Sequence, residues 1–446
     1  MGFAEAILRK KWWRSDALWV SKLLYRDPVR RIPLYLDTRI LLKSQYWPRI
    51  RMERLAHQRL ALLIRDAATI PMWHDIFNRS GINPESFSFG DLTRLPVISK
   101  QDYATENHAY TTDRKLRPSS FSDHTSGSTG RPFHFYLDQG TELRLSALCE
   151  RLLRTAGRGK RFPVISLRVR PKIGLTFLRH IMFRVQNYDE VRSRAGELAQ
   201  LIHRFKEGCI LEGFTSFIGE VARCAEEARM VLPIRAVVAT GEEVTPGSRT
   251  FVERVLHTSF FMSYASREIG FLAFECEEHR LHVNEESLLI EILDASGTPC
   301  RQGEEGRVVV TAFDHRVMPF IRYSMGDRGI MEEDLCPCGR TLRTIRIKGR
   351  EAHLIEMPGG RRVPVIEIAS IFDEFFSAVK HYQIEHTAPL VFTINIVPRK
   401  GFVKKRPLMH IMILGALHPT AQINWRVVPE IPPGPGGKAQ YFIKTF

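Results

Sequence analysis

The sequence predicts an α/β protein: a large N-terminal domain of β-sheets and helices, and a small C-terminal α+β domain. Three observations lead there. The chain has 446 residues, too many for one small core and enough for a large domain with a smaller companion. Strand-like apolar runs alternate with helical stretches as far as residue 350. Beyond that point the order changes to a helix with closely spaced strands, and the Pro/Gly-rich patch IPPGPGGKAQ (431–440) presents Lys438.

Residues 1–55 read as a basic amphipathic extension. The first 50 residues hold eleven Lys/Arg against four acids, interleaved with Trp12, Trp13, Leu18, Trp19, Leu23, Leu24 and Tyr25. This pattern suits a helix resting on phospholipid head groups, and equally a helix whose aromatics pack on the body while its charges are solvated. No apolar run reaches spanning length, Arg9 to Arg14 interrupt the early apolar stretch, and Ala6 spoils a myristoylation signal. The expectation is a cytoplasmic protein, with peripheral membrane contact through residues 1–50 as one of the two readings.

In residues 56–349, QRLALLIRDAATIPMWHDIF (58–77) has apolar residues at helical spacing and meets the turn SGINPE (80–85). DLTRLPVISKQDY (91–103) reads as docked chain. Strands are expected in FPVISLRV (162–169), IRAVVAT (234–240), FFMSYA (260–265), SLLIEIL (287–293) and GRVVVTAF (306–313), and helices over 194–206 and 216–230. In residues 350–446, a helix in PGGRRVPVIEIASIFDEF is followed by strand candidates VKHYQIEH, LVFTINIVP and HIMILGA.

With 44% hydrophobic and 26% charged residues the balance is that of a folded globular protein. The net charge of +16 admits nucleic acid, an anionic membrane or anionic small molecules as partners. Seven scattered cysteines do not form a disulfide framework. Cys276, Cys336 and Cys338 with His279 or His282 could close a tetrahedral, structural Zn²⁺ site. His282 is preferred because His279 is too close to Cys276 to share one ion comfortably. Three reduced cysteines and two surface histidines are the plain alternative.

Several loops point to a nucleotide. TSGSTGRP (125–132) offers backbone N–H groups freed by glycine, hydroxyls and the cation of Arg131, which suit β- and γ-phosphates. It does not match the GxxxxGK[ST] loop. IRYSMGDRG (321–329) puts Asp327 in a turn after a strand, where a carboxylate can take both ribose hydroxyls. ATGEEVTP (239–246) follows a strand with a glycine turn. YASREIG (264–270) follows another, with Tyr264 for stacking and Glu268 for a metal. Loops at several strand ends are where α/β folds place ligands.

Taken together and in this order, LPVISKQD, the phosphate loop, GEEVTP, YASREIG, the Cys/His knuckles, YSMGDRG, IKGR and PGGKAQYF resemble the adenylate-forming superfamily. The likeness is to its phenylacetate:coenzyme A ligase branch with capsule-biosynthesis-associated relatives, and runs from about residue 50 to the C-terminus. The resemblance implies ATP, Mg²⁺ and coenzyme A, and zinc knuckles occur in that branch. It makes Thr125, Ser126, Gly127, Ser128, Thr129 and Gly130 the phosphate loop, and Gly241 with Glu243 the adenine-side turn. Tyr264 becomes the stacking residue, Glu268 the Mg²⁺-associated carboxylate and Asp327 the ribose ligand. Arg350 is the hinge arginine and Lys438 the catalytic lysine of a mobile C-terminal domain.

The implied reaction is activation of a carboxylic acid as an acyl-adenylate with release of pyrophosphate, then thioester formation with coenzyme A. Lys438, Arg131 and Mg²⁺ on Glu268 would neutralise the phosphates. Ala265, Arg267 and the segment EAH (351–353) depart from the family pattern. Arg267 could add charge near the α-phosphate or pair elsewhere. Transfer of the adenylyl or acyl group to another acceptor, as in deazaflavin adenylyltransferases, is the enzymatic alternative. A basic membrane- or nucleic-acid-binding protein with degenerate loops is the alternative of another class, although no nucleic-acid fold motif is present.

Overall fold

The computed structural model describes residues 18–19, 28–103, 108–125, 133–157, 159, 162–169, 180–375, 378–434 and 439–446. The aromatic stretch from Trp12 to Tyr25 lies outside them except for Leu18 and Trp19. Helices α1 (Pro28–Ser44), α2 (Arg49–Ala67) and α3 (Pro71–Arg79) come first. The single helix expected over 58–77 is therefore two. Pro71 cannot donate to a continuing ladder, and its fixed φ suits the first position of a new helix. Leu60, Leu63 and Ile64 of α2 and Trp73, Ile76 and Phe77 of α3 enter one shared core.

The segment 91–103 docks as expected. Ile98 donates its N–H to the Arg322 carbonyl (2.9 Å) and accepts that of Ser324 (2.8 Å). A two-stranded ribbon, β2 (Phe121–His124) and β3 (His134–Leu137), leads into α4 (Gln139–Ala156), whose first turn is capped by Asp138 accepting from Thr141 N–H at 2.8 Å. A short strand, β1 (Leu18–Trp19), pairs with β5 (His180–Arg184) at one edge of the main sheet. β5 is followed by β4 (Val164–Arg168), β6 (Cys209–Gly213), β7 (Ile234–Thr240) and β8 (Ser259–Ser266), all mutually parallel.

From β8 the sheet runs antiparallel through β9 (Gly270–Glu275), β10 (Leu281–Val283), β14 (Thr344–Arg350), β13 (Phe320–Met331), β12 (Glu305–Ala312) and β11 (Leu288–Leu293). The parallel strands read as near-continuous apolar runs because both faces are covered. Side chains alternate between those faces. Ile165, Leu167, Leu211 and Val237 pack against α5 (Tyr188–Ser193), α6 (Ala195–His203), α7 (Thr215–Glu227) and α8 (Pro246–Leu256). Val164, Ile210, Ala236 and Val238 pack against Cys149, Leu152 and Leu153 of α4.

One buried charge pair ties α4 to the antiparallel half. Arg151 is fully buried, its guanidinium 2.7 Å from the Glu286 carboxylate and 4.7 Å over the ring of Phe274; Ser44 Oγ donates to the same carboxylate at 2.5 Å.

The C-terminal elements are β15 (Leu354–Glu356), β16 (Arg362–Pro364), α9 (Val365–Glu374), β17 (Val379–Ala388), β18 (Val391–Pro398), α10 (Phe402–Ala416), β19 (Gln422–Val427) and β20 (Phe442–Lys444). β19, β18, β17 and β20 form a separate sheet with its own core, from Ile355 to Phe442. HIMILGA, expected as a strand, is the second half of α10. An unbroken apolar run has no period of its own, and here Met409 and Ile413 are buried four residues apart on one helical face. Among the described residues no helix is long and apolar enough to cross a membrane.

The C-terminal elements touch the rest through polar contacts. Tyr188 donates to the Ile431 carbonyl (2.6 Å), Arg399 pairs with Glu227 (2.9 Å), and Thr245 Oγ1 donates to Asp373. Burial raises the Asp373 carboxyl from 3.8 to about 6, with Thr245, Arg223 and the Ser248 backbone pulling the other way. A raised native pKa favours the protonated native form. That contribution is complete below the unfolded value of 3.8 and is lost as pH rises through about 6. Asp373→Asn is expected to melt like the parent near pH 4 and at a higher temperature than it near pH 7.5. A gap that does not widen with pH would refute the assignment.

Candidate active site

The site is assembled where the parallel strands end. After β7, Gly241 takes φ +77°, a left-handed turn that glycine adopts without strain, and Glu242 and Glu243 follow. Thr245 then caps α8, its hydroxyl accepting from Ser248 N–H at 3.2 Å, with Pro246 in the first helical turn. One strand over, Tyr264 lies on β8 itself. Ser266 Oγ accepts the Ile269 N–H at 3.1 Å and closes the turn that carries Arg267 and Glu268.

Asp327 was expected in a turn. It lies instead within the long strand β13, at a bulge. The β12–β13 ladder pairs Val309 with Ser324 and Arg307 with Arg328, so Met325 to Asp327 all face Val308. Gly326, at φ +68°, makes that bulge. The sequence signal was the same Gly-Asp pair; a left-handed glycine serves a bulge as well as a turn. The bulge re-aims the Asp327 carboxylate, which accepts from Tyr264 Oη at 2.6 Å and lies 3.1 Å from Arg350 Nε at the end of β14. Burial pushes the Asp327 carboxyl up while Arg350 and Tyr264 pull it down, and it stays above its ordinary value. Asp327 holds Arg350 well charged, raising the guanidinium against its own burial.

Glu268 is nearly buried and accepts from Tyr323 Oη at 3.1 Å. Burial and Glu268 together raise the Tyr323 hydroxyl far above its usual range, so it acts as a donor. Lys100, from the LPVISKQD segment, is near enough to Glu268 and Arg350 to feel both, and burial lowers its ammonium. Glu243 is raised by burial and accepts from Tyr441 Oη; Glu242 accepts the Ala439 N–H at 3.1 Å. Gly241, Glu243, Tyr264, Glu268, Asp327 and Arg350 thus form one linked cluster.

Thr125 is the first residue of the TSGSTGRP segment. Its N–H donates to the Phe133 carbonyl at 2.9 Å, closing the β2–β3 ribbon. Ser126, Gly127, Ser128, Thr129, Gly130, Arg131 and Lys438 lie outside the described residues. Arg267 pairs with Asp123 at 2.7 Å, so of its two expected roles the structure shows pairing. That pair joins the Glu268 turn to β2, the strand before the TSGSTGRP segment, across 144 positions of sequence.

Sequence reasoning missed Asp123, Glu242, Tyr323 and Tyr441. Glu242 and Tyr441 were legible only as neighbours of named positions. Asp123 and Tyr323 needed the fold to bring distant strands together.

A second cluster lies at β10 and the 336–338 knuckle. The Cys276, Cys336 and Cys338 sulfurs and a His282 nitrogen all lie within 4.8 Å of one another. His282 Nδ1 is 2.9 Å from the Leu342 carbonyl, which leaves Nε2, 3.3 Å from Cys338 Sγ, as the inward atom. His279 is turned away, its Nδ1 2.9 Å from Arg249 and 3.3 Å from Glu275. The three sulfurs and one imidazole nitrogen fit a tetrahedral zinc ion, whose sulfur ligands stand about 3.8 Å apart at ~2.3 Å bonds.

No protein-family model matches the chain. It is 25% identical over 354 residues to phenylacetate-coenzyme A ligase of Thermus thermophilus, covering 76% of this chain and 78% of that one. It is 21% identical over 395 residues to Protein CapK of Staphylococcus aureus, covering 84% of each. Among solved structures, 2-hydroxyisobutyryl-CoA ligase in the postadenylation state with 2-HIB-AMP superposes with a TM-score of 0.74 at 18% identity, over 90% of this chain and 93% of that one. The same ligase in the thioesterification state gives 0.60, at 18% identity, over 90% and 92%.

The chain is thus similar over most of its length to a phenylacetate-coenzyme A ligase and to Protein CapK, and its fold is that of 2-hydroxyisobutyryl-CoA ligase.

Proposed function

We propose that this chain is an ATP-dependent, AMP-forming acid:coenzyme A ligase. In the first half-reaction a carboxylate oxygen of the acid attacks the α-phosphorus of ATP. The bond to the β-phosphate breaks, and pyrophosphate leaves an acyl-adenylate. In the second, the thiol sulfur of coenzyme A attacks the acyl carbon, the thiol gives up its proton, and AMP departs.

The observation that carries this reading is the convergence of the Gly241 turn, Tyr264, Glu268, Asp327 and Arg350 beside the base of the phosphate loop, with the residue after Lys438 bonded to Glu242. Tyr264 presents its ring beside the adenine-side turn, and Asp327 is the carboxylate for the ribose. Ser126, Gly127, Ser128, Thr129, Gly130 and Arg131 form the cradle for the outer phosphates, and Lys438 places its cation at the reacting oxygens. Glu268 is the carboxylate for Mg²⁺, which supplies charge neutralisation when bound. The mobile part is residues 350–446, turning about the segment after Arg350, and residues 56–349 hold the nucleotide.

The test is acid-dependent exchange of labelled pyrophosphate into ATP over a panel that includes phenylacetate and 2-hydroxyisobutyrate. Coenzyme A-dependent release of free AMP is then measured with the active acid. Exchange with one acid class, followed by thioester and free AMP, is the expected result. AMP found covalently on an acceptor would replace this reading with adenylyl transfer.

Zinc is proposed at Cys276, His282, Cys336 and Cys338, in a structural role, because four protein ligands leave no open position. Metal analysis of the purified chain is expected to find about one zinc per molecule. Cys276→Ser should abolish it and lower the melting temperature. Zinc-free protein whose stability ignores chelator would remove the site.

A further inference from the structure

We propose that the outer face of α10 rests on an anionic lipid surface, with its aliphatic side chains at the acyl boundary and the cations at its start among the head groups. The proposal uses none of the residues of the nucleotide cluster and is independent of the activity proposed above.

α10 is apolar on two sides. Phe402, Met409 and Ile413 enter the core of the C-terminal sheet. Trp425 of β19 donates its indole N–H to His410 Nδ1 at 3.1 Å, which fixes the rotation of the helix against that sheet. Side chains three and four places apart share a helical face. On the face turned from the core, Val403, Pro407 and Ile411 recur every four residues, with Leu408 beside them. Val403 is 76%, Leu408 53% and Ile411 65% exposed. A surface helix ordinarily turns a polar face to water, and one that is apolar all round calls for a second apolar surrounding. A lone exposed aliphatic needs no explanation, but a run of them along one face is a patch.

The charges at one end of this face have a single sign. Lys400, Lys404, Lys405 and Arg406 are exposed, and no acidic residue stands between Glu385 and Glu430. This combination selects the occupant. A second copy of the chain across a two-fold axis would set these cations against their own equivalents. A nucleic acid would satisfy the cations through its phosphates but would leave the aliphatic side chains with little to bury against. A bilayer boundary supplies both at once: head-group phosphates for the cations, and acyl chains for Val403, Leu408 and Ile411. Long Lys and Arg stems can lie along the apolar boundary while their charged ends reach the phosphates. At 15 residues α10 is too short to span a bilayer, so it lies along the surface.

The experiment is co-sedimentation of the full chain with vesicles of phosphatidylcholine alone and of phosphatidylcholine with about one third phosphatidylglycerol. Two variants are run beside it. Leu408→Gln with Ile411→Gln removes apolar surface at constant charge, and Lys400→Ala with Lys404→Ala removes charge. The parent is expected to bind the anionic vesicles, to bind the neutral ones far less, and to release as salt screens the cations. The alanine pair should weaken partitioning about thirtyfold and the glutamine pair about tenfold. All four positions are exposed, so both variants should melt like the parent. Residues 1–50 are unchanged in both, so anionic-vesicle binding that survives in both belongs elsewhere in the chain and overturns the proposal. A parent that ignores anionic vesicles overturns it too, as does self-association without lipid that the glutamine pair abolishes. Binding that responds to the alanine pair alone would be a bare charge contact and would equally refute it.

Discussion

Lys438→Ala is expected to lower acid-dependent pyrophosphate exchange by about 10²–10³-fold, the loss seen when one preorganised charge-stabilising group is removed from a transition state. Attack by a carboxylate on a nucleotide brings two anions together. On the proposed reading, the charge that builds on the bridging oxygens would be met by Lys438 and Arg131, with Glu268 as the residue that would hold Mg²⁺. Ala439 and Tyr441, which follow Lys438 in sequence, are bonded to Glu242 and Glu243. ATP binding, followed by equilibrium titration, is expected to persist in the variant, because the proposed ring, ribose and phosphate contacts come from other residues. Exchange within tenfold of the parent would show that Lys438 is not the catalytic cation.

Glu286→Gln is expected to destabilise the native state by about 3–5 kcal/mol, the usual result of breaking a buried pair and leaving one charge uncompensated. Arg151 has no exposed surface, and its partners are Glu286, Asn284 and the Leu41 carbonyl. Burial pushes the Glu286 carboxyl up, but Arg151 and Ser44 pull it further, leaving it below 4.5. A depressed carboxyl stabilises the native state above its unfolded value of 4.5, and the contribution is lost as pH falls through the native one. The penalty in Glu286→Gln should therefore be read at neutral pH by urea unfolding, and should shrink in acid. The double replacement Arg151→Met with Glu286→Leu should recover much of it, since paired apolar groups of similar volume remove both desolvation terms. A single variant as stable as the parent would show the pair to be dispensable.

Most of the parallel half of the sheet was legible in the sequence because buried parallel strands are short apolar runs bounded by loops, as in IRAVVAT and FFMSYA. Where the reading failed, one of two causes applies. Backbone chemistry overrode periodicity at Pro71, which splits an unbroken amphipathic pattern into two helices. At HIMILGA a uniform apolar run carried no period by which helix and strand could be told apart. The candidate site shows the same division. Its glycines and acids could be picked out because they sit in unusual local strings, whereas Asp123 and Tyr323 look like ordinary strand residues until the fold sets them beside Arg267 and Glu268.

The bond between Asp327 and Arg350 has a thermodynamic consequence. One carboxylate is both the proposed ribose ligand and the partner of the residue from which the C-terminal part is proposed to swing. A nucleotide that draws on Asp327 must alter the hold on Arg350, and reciprocity requires any rotation that strains Arg350 to alter nucleotide affinity by the same factor. Loading of the site and the swing of the chain beyond it are then a single linked equilibrium, and AMP would leave more readily from one posture of the molecule than from the other.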